Sequence, residues 1–425
     1  MSDAAVLGRR LERLRLCGSG TRPAVAAPPA ARAGPLATEL GGSVVGSIVV
    51  FESAADIAVD RSLFARLPFP VSADRPLVLL DTETTGLATG AGTLPFLVGI
   101  GTWIGDRLVV RQFLVPDHAD EPDLLGLLAA AVPPDACLVT YNGRSFDWPL
   151  LVARYRLHRR DPPEPAGQLD LLHVARRLWK YRLGNARLAT VESAVCGVAR
   201  HDDLPGALIP ERYFAFLRHR RADVLRPVLA HNRQDVVSLG LLVATLASMA
   251  DAATWAELHP GDLGMLGRAH ARNGEDDRAL TAFEGALSSP AWQRGVVSGS
   301  AVWRRLVLER ARILARCGRR EEALTAWLEL ARRGGPGAAA AWLHVARHRE
   351  HVERDYAEAL AACQEALAVA ERARLWGRAV PSVERDLAVR MARLRRKQGP
   401  AVQAPKSSRL TQLHVGELPA RSLRT

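Results

Sequence analysis

Short apolar runs dominate the chain up to about residue 115, and helical spacing dominates after it. The stretch PLVLLDTETTGL, Pro76 to Leu87, is an apolar run with a polar end, the pattern of a buried strand. LPFLVGIGTWI (Leu94 to Ile104) and LVVRQFLV (Leu108 to Val115) repeat that pattern. Only a short GDR-centred connection separates them, which predicts an antiparallel meander. Glu121 to Ala131 then has helical spacing with Pro122 in its first turn. Cys137 to Gly143 predicts a short strand, and Ser145 to Leu157 a helix with Ser145 as its N-cap. Further helices are expected over Leu169–Trp179, Ala189–Val198 and Pro210–Arg220. AHNRQDVVSLGLLVATL, from Ala230, puts Val236, Val237, Leu239, Gly240, Leu242 and Val243 at helical spacing and closes the domain near Met249. Three meandering strands, a crossover to a fourth and several helices predict an α/β fold. It is a mixed sheet flanked by helices over residues 75–250.

The flanks differ in character. Residues 1–35 predict a short basic helix (Leu7 to Leu16) followed by a Gly/Ala/Pro/Arg linker, and 36–74 a small separate element containing SVVGSIVVFESA. After Ala250 a helix, a polar turn and A-L-x-x-[aromatic or Cys] recur three times. Leu280, Leu324 and Leu360 mark the repeats, with small residues Ala279, Ala323 and Ala359 where paired helices would approach. This pattern resembles tetratricopeptide-like repeats, and it predicts an all-α repeat domain over 251–380. A plain helical bundle would carry the same pattern. Residues 381–425, with RMARLRRKQG, predict a basic, disordered tail.

Charge and cysteine usage narrow the class of protein. The formal net charge is +12, almost all of the excess being arginine, which favours polyanionic partners. High genomic GC content would give the same composition. Five widely spaced cysteines without a CxxC pair indicate neither a disulfide framework nor a structural zinc site, and a cytoplasmic setting fits. No run of about 18 uncharged apolar residues occurs, so no membrane partner is expected.

The acids carry the chemistry. Asp81 and Glu83 are two apart on a strand and so share a face. Like-charge repulsion makes that arrangement costly unless a hard cation sits between them. Asp147 lies near a helix start among Phe146, Trp148, Leu150 and Leu151, where it could serve only the helix dipole. Asp235 lies on the last helix, and His231, one turn earlier, shares its face. These motifs, LLDTETTGL, YNGRSFDWPLL and HNRQDVVSL, resemble the three of the DEDD superfamily of 3′-5′ exonucleases, which have a ribonuclease H-like fold. More narrowly, the chain is similar to the YprB-like ribonuclease H-like proteins, some of which carry tetratricopeptide-like repeats. The motifs stand in order at spacings of 66 and 88 residues from Asp81 to Asp147 to Asp235.

The resemblance implies metal-dependent 3′-5′ exonuclease activity on single-stranded DNA or RNA ends, with two divalent cations, Mg²⁺ or Mn²⁺, held by Asp81, Glu83, Asp147 and Asp235. Asp81 would bridge the ions. Members of the superfamily place a tyrosine four residues, or a histidine five, before the last aspartate. Here His231 stands at the tyrosine spacing, as a general base or as a structural partner of Asp235. Thr84, Thr85, Gly86 and Leu87 would approach a 3′-terminal nucleotide. Asn142 would bond the nucleotide or serve the Y-N-G turn. Arg176, Arg177 and Lys180 form a phosphate-facing patch in which Trp179 and Tyr181 would stack on bases, unless this is a solvated helix with Trp179 in the core. Asp170 is expected to start a helix or to support the site from behind. The alternative function is a weakly active or inactive nucleic-acid adaptor whose helical repeats recruit a protein partner.

Overall fold

A computed structural model describes residues 29–86, 92–200, 203–290 and 301–398 of the chain. The expected helix over Leu7 to Leu16 and the tail beyond residue 398 lie outside the described residues. The chain divides into two compact units, residues 1–299 and 300–425.

The first unit opens with α1 (Pro29–Leu40), β1 (Ser43–Val45), β2 (Ile48–Ala55), β3 (Leu77–Thr84), β4 (Pro95–Ile104) and β5 (Arg107–Leu114). There follow α2 (Glu121–Ala131), β6 (Cys137–Thr140), α3 (Asp147–Leu157), β7 (Gly167–Asp170), α4 (Leu171–Leu178), α5 (Lys180–Leu183) and α6 (Leu188–Cys196). It closes with α7 (Ile209–His219), α8 (Arg226–Met249), α9 (Pro260–Arg272) and α10 (Asp276–Ser288). The strands form one seven-stranded mixed sheet in the order β1-β2-β5-β4-β3-β6-β7. The meander β3-β4-β5 is antiparallel, whereas β6 runs parallel to both β3 and β7. One core joins Val78, Leu80, Val98 and Ile100 of the sheet to Leu124 and Leu128 of α2 and Leu151 of α3. The other joins Val49, Phe96 and Leu114 to α1, α7 and the start of α8.

The structure departs from the sequence reading at the N-terminal edge. Residues 29–40 are helical, so the expected linker gives way to a helix from Pro29 on. Ala33, Leu36, Ala37 and Leu40 form an apolar stripe at helical spacing, buried with Tyr213 and Phe216 of α7. Nor is 36–74 a separate element, because β2 pairs along its length with β5, from Val49–Leu114 to Ala55–Leu108. Further on, Gly167–Asp170 adds a parallel strand to β6 before the helix begins at Leu171. Ser145 does not cap α3, whose first residue is Asp147.

The helical hairpin α9–α10 belongs to this first unit, beyond the expected break at residue 250. Asp262 of α9 accepts from Arg182 at 2.7 and 3.0 Å, and Asn273 donates to the Pro68 carbonyl at 3.3 Å.

The second unit is helical: α11 (Ala301–Arg316), α12 (Arg320–Arg332), α13 (Ala338–His348), α14 (Tyr356–Leu375) and α15 (Pro381–Lys397). Successive helices pack in chain order. Ala323 and Ala359 are fully buried, as Ala279 is in the first unit. Residues 381–397, expected to be disordered, form α15, whose Arg390, Arg393 and Lys397 close on the buried Glu350. Burial acts to raise the Glu350 pKa, but hydrogen bonds from Arg393 and Lys397 and the charge of Arg390 win and bring it down to about 2.

Candidate active site

Strand alternation decides which way the first motif faces. Leu80 and Thr82 of β3 turn toward α3, while Asp81 and Glu83 turn toward α8. Helix α8 reaches Asp81 because the facing strand carries glycines. A Cβ on Gly99, the residue paired with Asp81, would stand 2.6 Å from Asn232 Oδ1 and 2.7 Å from Val236 Cγ2. One on Gly101 would stand 2.8 Å from Val236 Cγ1. The helix therefore rests on bare backbone.

At that contact Asn232, wholly buried, donates Nδ2 to Asp81 Oδ2 at 2.8 Å and accepts at Oδ1 from Gln112 Nε2 at 2.9 Å. Gln112 also donates to the Leu229 carbonyl at 2.8 Å. A buried amide chain thus sets the orientation of the Asp81 carboxylate. Asp147, the first residue of α3, accepts from the Thr82 hydroxyl. Asp235 accepts from Arg200 at 2.5 Å, and its second oxygen stands 3.6 Å from His231 Nε2. His231 Nδ1 meets Asp203 at 2.7 Å. Arg200 also bonds Asp203 at 3.0 Å and grips both oxygens of Glu192, which is fully buried and takes a further bond from Ser238.

Burial raises all four acids, and at Asp81 and Glu83 the other acids add to it. Burial first, then Asp235, Glu83 and Asp147, push Asp81 well above the usual carboxylate range. Glu83 rises to about 8 through burial, Asp235, Asp147 and Asp203, with Arg200 opposing. Burial lifts Asp147 to about 6 against the Thr82 hydrogen bond. Asp235 is raised by burial, opposed by His231 and Arg200. Strand β3 and helices α3 and α8 therefore bring the four acids into one electrostatic cluster.

Among the described residues no three His, Cys, Asp or Glu side chains form a ready-made metal cage. Asp81, Asp147 and Asp235 each give an oxygen to a protein donor, namely Asn232, Thr82 and Arg200. The donor set nevertheless fits a hard divalent cation. Every ligand atom on offer is carboxylate oxygen, and the repulsion that adds to burial in raising Asp81 and Glu83 is one that such an ion relieves.

The remaining expected residues fall into place unevenly. The Thr84 hydroxyl donates to the Gly86 carbonyl at 2.7 Å, and that of Thr85 accepts from Leu94 N–H at 2.9 Å, so both close their own turn. Leu87 lies outside the described residues. Asn142 adopts φ 68°, and its N–H goes to Asp170 at 2.9 Å. Asp170 also takes the N–H groups of Arg144 at 3.3 Å and Leu172 at 3.0 Å, so it caps α4 and fixes the β6–α3 turn. Arg176, Arg177 and Lys180 are exposed. Base stacking by Trp179 is overturned, since that ring is 1% exposed in the core. Tyr181 is turned to Asp262 at 3.4 Å. Sequence reasoning missed Gln112, Glu192, Arg200, Asp203 and Asn232. Only Asn232 had a signal: the glycines of LVGIGTWI, which mark a close backbone approach.

No helix among the described residues is long and apolar enough to cross a membrane. The family model of the RNase_H superfamily matches residues 78–247, the span that carries all four acids. An uncharacterized protein of Bacillus subtilis (strain 168), YprB, is 33% identical over 325 residues, 76% of this chain and 75% of that protein.

Proposed function

The chain belongs to the RNase_H superfamily and to the same family as YprB, and from that premise we propose that it is a metal-dependent 3′-5′ exonuclease acting on single-stranded DNA or RNA ends. The observation that carries this reading is the cluster itself: Asp81, Glu83, Asp147 and Asp235, drawn from three elements and all raised in pKa by burial, with Asp81 and Glu83 raised further by the charges of the others. Asp81, Glu83 and Asp235 would hold one Mg²⁺ or Mn²⁺ ion, and Asp81 and Asp147 a second. Such ions, when bound, neutralise charge on the scissile phosphate and supply Lewis acidity.

The chain's own groups do the rest. Asn232 and Gln112 hold the Asp81 carboxylate in one orientation, so little reorganisation accompanies reaction. Asp203 fixes the His231 ring through Nδ1, which leaves Nε2 on the Asp235 side to accept a proton from the attacking water. Thr84, Thr85 and Gly86, which follow Glu83 in the chain, and Asn142 would line the terminal nucleotide, while Arg176, Arg177 and Lys180 would meet its phosphates.

A second reading rests on Arg200. Its guanidinium already neutralises Asp235, which favours an adaptor with weak turnover over an efficient nuclease. Single strands carrying a 5′ label distinguish the two. With Mn²⁺ an exonuclease of this polarity gives a descending ladder from the 3′ end, and a blocked 3′ terminus stops it. Binding without shortening of either DNA or RNA supports the adaptor, and internal cuts contradict the exonuclease.

A further inference from the structure

The two most exposed large apolar side chains among the described residues are adjacent, Leu375 at 85% and Trp376 at 82%. They stand at the end of α14 in the second unit, in the stretch ERARLWGRAV. The turn that presents them is ordered by its own backbone. Trp376 N–H and Arg378 N–H both bond the Ala373 carbonyl, at 3.1 and 2.9 Å, and Gly377 N–H bonds Arg374 at 3.0 Å. Gly377 takes φ +70°, which closes the helix end in the left-handed region. An ordered turn that holds an indole in water gains nothing for the core, so its stability has to come from elsewhere in the unit.

The charge around it is one-sided. Arg372, Arg374 and Arg378 are exposed and make no ion pair among the described residues, and Glu371 is the single acid between residues 371 and 380. The wider unit shares the bias, with 21 Lys/Arg against 12 Asp/Glu over residues 301–398. A flat, exposed aromatic ring among unpaired guanidinium groups suits a strand with free base faces and a phosphate backbone. We propose that this turn is a second nucleic-acid contact, in which Trp376 stacks on an unpaired base and Arg372, Arg374 and Arg378 bond the flanking phosphates. The three arginines argue against a purely apolar protein partner, which would leave them to be desolvated without a counter-charge.

The contact does not depend on turnover, so its test is run without catalysis. Full-length chain in EDTA is titrated into a fluorescein-labelled 20-mer single strand, and anisotropy reads the affinity. Trp376→Ala is expected to weaken binding at least about fivefold and Trp376→Phe much less, in line with stacking on one base. Changing Arg372, Arg374 and Arg378 together to Gln should lower the slope of log affinity against log salt by about 2. Both sets lie on the surface, and unchanged circular dichroism and melting verify the fold. Affinity of Trp376→Ala within about twofold of the parent overturns the stacking. So does an unchanged affinity with loss of a concentration-dependent self-association in sedimentation, which would mark the turn as a protein contact. Loss of nuclease activity elsewhere in the chain leaves this readout untouched, so the two readings fail separately.

Discussion

Replacing Arg200 by Met should lower stability and raise cation affinity at once, and the two effects come from the same atoms. The guanidinium holds Glu192 through Nε and Nη2, Asp203 through Nη1 and Asp235 through Nη2. Glu192 is wholly buried, and without Arg200 its remaining partner is the Ser238 hydroxyl. Breaking a buried pair on one side strands the other charge, which costs about 3–5 kcal/mol. For a unit of this size that is a fall of roughly 6–20 °C in melting temperature. The double change Arg200→Met with Glu192→Gln should recover part of the loss, because the charge at Glu192 is no longer stranded. Removing a positive charge beside Asp235 also deepens the negative potential of the cluster, so Mn²⁺ should bind more tightly to Arg200→Met than to the parent. Urea unfolding at pH 7 measures the first effect and isothermal titration with Mn²⁺ the second. A stability loss under about 1 kcal/mol, or a double variant no better than the single one, would refute the stranded-charge argument. Weaker Mn²⁺ binding would refute the electrostatic one.

Three further outcomes follow from the same geometry. Asn232→Ala should cost about 2–3 kcal/mol in urea unfolding, since Gln112 loses one buried acceptor and Asp81 its side-chain donor, and should also weaken Mn²⁺ binding; unchanged Mn²⁺ affinity would leave Asn232 as core only. Glu83 and Asp147 have folded pKa values of about 8 and about 6, above their ordinary 4.5 and 3.8. The folded chain therefore binds more protons than the unfolded chain between those limits. Stability of the metal-free protein should be fullest below about pH 4 as far as these two groups count, and fall as pH rises through 6 and then 8. Millimolar Mg²⁺ should flatten that decline in a series of thermal melts, and a metal-free profile that rises from pH 5 to 8 would contradict the sign. His231→Ala should lower turnover about 10²-fold or more and remove an ionisation from the pH–rate profile, whereas a purely structural histidine would leave the profile's shape unchanged.

The sheet and the placement of the acids along their own elements were legible because both follow from short-range pattern. Alternation alone put Asp81 and Glu83 on one face, and the strand-then-helix order placed Asp147 at a helix start. Helical spacing placed His231 and Asp235 one turn apart. What surrounds the acids was not legible, because it is assembled across sequence distance. Arg200 and Asp235 are 35 residues apart, and Gln112 and Asn232 are 120 apart. No periodicity links such residues; Gln112 and Asn232 meet where glycines let α8 rest on β4. The base stacking expected in the basic stretch after Asp170 failed for a related reason. Trp179 fills the core and Arg182 and Tyr181 turn to Asp262, while Arg176, Arg177 and Lys180 stay exposed. At the N-terminus, alanine and proline content suggested a linker, and the apolar stripe of α1 became decisive only with the core it joins, in which Phe96 and Tyr213 stack at 4.0 Å.

The central claim is that the four-acid cluster cleaves phosphodiester bonds with the help of divalent cations. Its most direct test is the shortening of 3′-labelled single-stranded DNA and RNA by the purified full-length chain in Mn²⁺ or Mg²⁺, with Asp81→Asn run in parallel. The account predicts release of the labelled terminal nucleotide by the parent chain, its abolition by EDTA and by Asp81→Asn, and unfolding of the variant at a similar urea concentration. Equal shortening by parent and variant, or none by a folded parent at any tested concentration of either ion, would contradict it.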